Sequence, residues 1–195
     1  VGVLYLTSIA SIAVYGIVLA GWSSNNKYAM LGGIRSSAQM ISYELSLGLC
    51  FVIAIILSAL GNPDGGSMTL REIVEAQKDM WFVVYQPAGA LIFLIVTLAE
   101  VNRAPFDMPE AEQELTAGYH AEYSGMKFAL FFMAEYQKMI VISMIAATLF
   151  FGGYREFWFM TNLFGGIFSV DRFWFLGPIY LMLKVVALLF FMIWV

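Results

Sequence analysis

Thiols, imidazoles and charge are all scarce in this 195-residue sequence. Cys50 is the single cysteine and sits in an apolar run, so no internal disulfide can form. One thiol also cannot hold an iron–sulfur cluster, which takes about four ligands. His120 is the single histidine, which excludes a bis-histidine haem within the chain. Any redox chemistry must therefore run through partners or a diffusible organic carrier. Charged residues are only 12% of the chain and the net charge is −4, which leaves no basic surface for nucleic acid. Repeats and low-complexity stretches are absent as well.

What the sequence has in plenty is apolar matter, at 61% of residues. Five stretches are long enough to cross about 30 Å of hydrocarbon, which takes roughly 20 helical residues. They are Val3–Trp22, Tyr43–Leu60, Met80–Val101, Lys127–Phe151 and Phe175–Val195. Lipid leaves no partner for open backbone groups, so the expected fold is an all-α polytopic membrane bundle, one transmembrane domain over residues 1–195. Trp22, Trp81, Trp174 and Trp194 fall at ends of these stretches, where indoles favour the interface. Val1 opens without a charged leader and Val195 closes without a basic anchor. The chain reads as an internal portion of a longer subunit.

The connections differ in kind. Ser23–Ser42 is polar and reads as a loop carrying Lys27 and Arg35, and Gly61–Gly66 reads as a turn. Thr69 and Glu72 fit a capping box for a short helix with Leu70, Ile73 and Val74 on one face, expected to lie flat on the membrane. Gly152–Asp171, rich in Phe and Gly, reads as an interfacial hairpin. Counting Lys and Arg does not orient the chain, but alternation puts the Ser23–Ser42 and Asn102–Met126 connections on one side.

The second of these carries the chemistry. Glu100, Asp107, Glu110, Glu112, Glu114 and Glu122 crowd into EVNRAPFDMPEAEQELTAGYHAEYSG, with Arg103 the single formal cation up to Glu122. Asp107 followed by Pro109 and Glu110 predicts a helix start, and Gly118 its end. Glu110 and Glu114 then share a face and repel, with Glu112 on another. Phe106, Leu115, Tyr119 and Tyr123 interleave with the acids, a pattern for packing against protein. Carboxylates held close in low dielectric have coupled proton affinities, so the loop is either a proton-handling element or a solvated acidic face. Arg103 can pair with Glu100 or Asp107. Glu44 begins the second span, Glu135 lies about two turns into the fourth with Lys138 three residues on, and Lys184 reads as near one end of the fifth. Charges at bilayer depth are functional candidates by default. The plainer alternatives are an interfacial position for Glu44 and a local Glu135–Lys138 ion pair.

These residues resemble a known family. Glu100-Val101-Asn102-Arg103-Ala104-Pro105-Phe106-Asp107, then Pro109-Glu110-Ala111-Glu112, then Gly118 through Tyr136, match a family signature. It is that of the membrane protein at the junction of the two arms of the proton-pumping NADH:quinone oxidoreductase, respiratory complex I, called subunit 1 in mitochondria. Gly21-Trp22-Ser23-Ser24-Asn25, Lys27-Tyr28-Ala29 and Leu31-Gly32 onward to Glu44 extend the resemblance over essentially the whole chain. It implies the third to seventh helices of that family, with the first two and the last missing. Val101 departs from the Thr common there.

The resemblance further implies a wall of the quinone chamber. Glu44, Glu100, Asp107, Glu110, Glu112, Glu114, Glu122 and Glu135 would couple protons, and Arg35, Arg103 and Phe106 would line the chamber or loop. It implies quinone as substrate, with no flavin, haem, iron–sulfur cluster or metal in this chain. Implied partners are other membrane-arm subunits, the quinone-site and iron–sulfur subunits of a peripheral arm, and lipid. The implied location is a bacterial plasma membrane or mitochondrial inner membrane. Rival readings are the equivalent component of a hydrogenase or ferredoxin-driven complex, a cation-coupled transporter, and a structural anchor. The unbroken NRAPFD and PEAEQEL text favours the quinone enzymes.

Overall fold

The structure, a computed structural model, describes residues 2–61, 65–103, 106, 118–120, 122–157 and 175–194. Regular structure among them is helical throughout: α1 Gly2–Ser23, α2 Lys27–Ser58, α3 Leu70–Glu75, α4 Phe82–Tyr85, α5 Pro87–Glu100, a single 3-10 turn Gly118–His120, α6 Met126–Phe150 and α7 Leu176–Trp194. Helices α1, α2, α6 and α7 are long and apolar enough to cross a membrane, and α5 is a shorter apolar helix. This is the expected all-α polytopic class, and α1, α6 and α7 match their predicted spans within one residue at each end. The helix predicted from Asp107, Trp174, and most of the Gly152–Asp171 hairpin lie outside the described residues.

Four local expectations need correction. The stretch Ser23–Ser42 is a loop only briefly, because α2 begins at Lys27 and runs for 32 residues. Asn25 takes the left-handed conformation (φ +50°), which Asn tolerates better than most residues. Asn26 then caps the new helix, its Oδ1 accepting from the Tyr28 N–H at 3.0 Å. At 1.5 Å per residue α2 is about 48 Å long, more than the roughly 30 Å of hydrocarbon, so a polar first third needs no loop to explain it.

The stretch Met80–Val101 is two helices. Pro87 pushes the preceding residue out of the helical region, and Gln86 sits at φ −135°, ψ +69° between α4 and α5. Pro87 then opens α5, a position where its missing N–H costs nothing. The capping box does not form at Thr69, whose N–H bonds the Ser67 hydroxyl at 3.0 Å. The Thr69 side chain does not cap α3 but lies 2.9 Å from the Ser67 hydroxyl. Both hydroxyls bond the Glu72 carboxylate and hold it below the usual range. Ile73 and Val74 on α3 are buried within the protein. Finally, Lys184 lies at the middle of α7 and is buried.

The chain divides into two compact units, described separately. The first comprises Val1–Leu4, Leu49–Leu94 and Ile140–Val195. Phe93 is its aromatic centre, 6.2 Å from Phe51 and 5.1 Å from Phe150 between ring centroids. A buried polar knot ties its turns. Gln77 donates to the Thr148 carbonyl at 3.1 Å and accepts from Gly152 N–H at 2.9 Å. The Lys184 ammonium donates to the carbonyls of Gly153 (3.0 Å) and Arg155 (2.7 Å) and lies 4.6 Å from the Trp81 ring centre. That set of partners explains how a lysine is kept at mid-helix, where an unpaired charge would be costly.

The second unit comprises Tyr5–Gly48 and Ile95–Met139. Here α1 and α2 meet through glycine: a Cβ on Gly21 would stand 2.9 Å from the Ala29 carbonyl oxygen. On α2, a Cβ on Gly32 would stand 3.1 Å from Gly118 Cα. Gly118 itself has φ +55°.

Candidate functional site

In the second unit, the end of α5 collects the charges. Glu100 is its last residue and is 5% exposed. Glu135 and Lys138, three residues apart on α6, share a face. They do not serve chiefly as a local pair. Lys138 Nζ stands 2.9 Å from Glu100 Oε1 and donates to the Glu100 carbonyl oxygen at 2.6 Å. Arg103 turns to Glu135 at 3.4 Å, with its guanidinium 5.6 Å from the Tyr136 ring centre. That contact is an ion pair without hydrogen-bond geometry at Nε. The sequence offers Glu100 or Asp107 as partner for Arg103. Asp107 lies outside the described residues, and the choice of Glu135 over Glu100 is set by the way α5 ends.

That end is a Schellman motif. Asn102 is left-handed (φ +57°), the Arg103 N–H bonds the Leu98 carbonyl at 3.3 Å, and the Asn102 N–H bonds the Ala99 carbonyl at 3.3 Å. The reversal sends Arg103 away from Glu100 and leaves the Glu100 carbonyl to Lys138. Gln39 on α2 completes the arrangement, its Nε2 donating to Ala99 O at 3.0 Å and Phe106 O at 2.8 Å. Phe106 packs edge-on to Tyr43 with centroids 5.5 Å apart.

Glu44 follows Tyr43, half-buried, and accepts a hydrogen bond from Ser11 of α1. Its charge acts on Glu100. Arg35 is half-buried one helical turn before Gln39. So Glu44, Glu100, Arg103, Phe106, Glu135 and Arg35 all fall in this unit. Asp107, Glu110, Glu112 and Glu114 lie outside the described residues.

Glu122 has a different setting. It is exposed and accepts from Asn26 Nδ2 at 2.8 Å, beside Tyr123, whose hydroxyl lies 2.7 Å from Ser23 Oγ and donates to Ala20 O at 3.0 Å. The two polar connections therefore meet, on the shared side that alternation assigns them. His120 is buried within ring contact of Tyr119, Phe128, Phe131 and Phe132, the nearest centroid 3.9 Å away. Burial holds its imidazole below the usual histidine value.

Sequence reasoning missed Gln39, Tyr43, Ser11 and Asn26. The signal was present: once Asn25-Asn26 is read as a turn and cap, Arg35, Gln39 and Tyr43 fall one turn apart on a single helix. Chemically, the site offers a buried carboxylate, Glu100, and a half-buried one, Glu135, each beside a cation near the end of an apolar helix. It can exchange protons and sense nearby charge.

All 195 residues match the NADH dehydrogenase family. The chain is 58% identical over 159 residues to NADH-quinone oxidoreductase subunit 8 of Rhodothermus marinus, covering 79% of this chain and 45% of that protein. It is 54% identical over 155 residues to an NADH-quinone oxidoreductase subunit of Protochlamydia amoebophila, covering 80% and 46%. Over 195 residues it is 48% identical to an NADH-quinone oxidoreductase subunit of Rhodospirillum centenum, covering 100% and 53%. The chain thus spans about half the length of the curated relatives it matches.

Proposed function

This chain belongs to the NADH dehydrogenase family, and from that membership we propose that it forms a wall of the quinone chamber in a proton-translocating NADH:quinone oxidoreductase. It is a multi-pass protein of an energy-transducing membrane. In this reading Glu44, Glu100, Glu122, Glu135 and the loop acids Asp107, Glu110, Glu112 and Glu114 couple quinone reduction to proton movement. Arg35, Arg103 and Phe106 belong to the chamber and loop. The observation that carries the reading is the pair of ion contacts, Lys138 with Glu100 and Arg103 with Glu135, among apolar helices.

The mechanism follows from electrostatics. The quinone tail reaches the chamber between apolar helices, and its head meets the polar connections. Electrons arrive from iron–sulfur subunits of the peripheral arm. Reduction adds charge to the head group before protons neutralise it. One unit charge about 10 Å from a carboxylate, at an effective dielectric near 20, changes its energy by about 1.7 kcal/mol. That is roughly one unit of proton affinity. Carboxylates already balanced by Lys138 and Arg103 are poised to answer such a change by exchanging a proton or a partner. Neighbouring membrane-arm subunits would receive that proton.

The test uses the assembled complex with the full-length protein carrying Glu112→Gln and Glu114→Gln, or Glu135→Gln. The expected result is a loss of inhibitor-sensitive NADH:quinone reduction or of pumped protons per electron. Unchanged quinone reduction with normal pumping in both variants would sink the coupling role.

A further inference from the structure

We propose that Gln39 is a positioning residue, a latch that fixes the root of the acidic connection by holding both sides of the α5 terminus. An amide NH2 group has two hydrogens, and Gln39 spends both on backbone carbonyls: Ala99 O at 3.0 Å inside the last turn of α5, and Phe106 O at 2.8 Å past its end. The Ala99 carbonyl, near the helix end where intrahelical donors run out, otherwise accepts only the long 3.3 Å bond from the Asn102 N–H, and its second lone pair takes the Gln39 amide. The neighbouring carbonyls have other fixed partners, Leu98 O with the Arg103 N–H and Glu100 O with Lys138. The Phe106 N–H already bonds the Arg103 carbonyl at 2.7 Å, and Gln39 adds the tie that joins this turn to Ala99 and to α2.

The latch is built for donation. Gln39 is 8% exposed and its Oε1 has no hydrogen-bond partner, so the amide is kept for its N–H groups at the expense of a buried acceptor. A glutamate of the same shape would turn two donors into acceptors facing two carbonyls. The charged groups around it are Arg35 on its own helix and Glu100, Arg103 and Lys138 at the α5 end. Two residues inside the family reading depend on the latch, since Arg103 and Phe106 lie between or at its contact points. The inference rests on the proposed function for its consequence in catalysis, while the latch itself does not.

The experiment places Gln39→Met and Gln39→Glu in the full-length protein within the assembled complex. Amide hydrogen exchange over residues 98–106, melting temperature, and quinone reduction with its KM for a short-chain quinone are then measured. In Gln39→Met, exchange at Asn102, Arg103 and Phe106 should quicken by roughly two- to tenfold, the effect of losing about one net hydrogen bond. The KM should change more than kcat. Gln39→Glu should show the same defect at neutral pH and recover on acidification, because the protonated acid regains one O–H donor, and Gln39→Met should not recover. Unchanged exchange in Gln39→Met, or a Gln39→Glu defect indifferent to pH, overturns the latch. Faster exchange with unaltered quinone reduction and pumping keeps the latch and removes the functional reading beneath it. If Gln39→Met fails to assemble, the pH response of Gln39→Glu decides alone.

Discussion

Lys138→Met gives the sharpest energetic test of the ionic site. The substitution removes the ammonium from a carboxylate whose side chain is 6% exposed, and it also strips the Glu100 carbonyl of its partner. A lone buried charge is strongly destabilising, by about 3–5 kcal/mol when one member of a buried pair is deleted. There is a ceiling on that cost, because the carboxyl can take up a proton instead. At pH 7, against an ordinary glutamate value near 4.3, protonation costs about 2.7 units, or about 4 kcal/mol. The penalty should therefore be close to 4 kcal/mol at pH 7 and shrink by about 1.4 kcal/mol for each unit of acidification, until the unfolded chain is protonated too. Lys138→Met with Glu100→Gln should recover most of the loss, since no charge is then left alone. Thermal unfolding of the purified full-length protein in detergent, followed by a thiol dye that reports exposure of buried Cys50, measures each contribution. A Lys138→Met penalty under about 1 kcal/mol, or one that does not vary between pH 5 and 7, would refute the reasoning, because surface ion pairs behave that way.

Three more outcomes follow from the packing. Gly32→Ala should destabilise by about 1–3 kcal/mol because its methyl meets backbone atoms of Gly118 and Tyr119 at 3.1 Å. Gly16→Ala, with nothing within 4 Å, should be neutral or stabilise α1 by up to about 1 kcal/mol in the same melting assay. Asn102→Gly should preserve the α5 terminus, whereas Asn102→Val should cost about 1–2 kcal/mol for a branched side chain at positive φ, seen as a lower melting temperature and faster exchange at Arg103. His120 is held below its ordinary value by burial, so the unfolded chain binds its proton more readily. Stability should be complete above about pH 6.5 and decline as the pH falls below it, and His120→Phe should flatten that slope in denaturation at a series of pH values.

Several misreadings of the sequence share one cause. Polarity is no sign of irregular structure at Ser23–Ser42, where Lys27-Tyr28-Ala29-Met30 and Arg35 to Gln39 are ordinary helix formers and only Asn25 and Asn26 break the chain. Apolarity is no sign of continuity at Met80–Val101, where Pro87 divides the run. A mid-span lysine needs partners that the local sequence does not display, and those of Lys184, Gly153 O, Arg155 O and the Trp81 ring, come from elsewhere in the chain. Glu100, three residues before Arg103, is not its ion-pair partner, because the left-handed turn at Asn102 sends Arg103 to Glu135.

By itself, the sequence determined the membrane class, the ends of α1, α6 and α7, the exclusion of resident clusters by one cysteine and one histidine, and the family through NRAPFD, PEAEQEL and EYSGMKF. These are properties of composition, hydrophobic length and contiguous text, which need no knowledge of what lies across the fold. The tertiary structure alone decided which charge meets which, that Gln39 holds Ala99 and Phe106, and that Gly32 lets α2 reach Gly118. Ion pairs and side-chain-to-backbone bonds act only at close contact, and residues far apart in the chain come that near only when the helices pack.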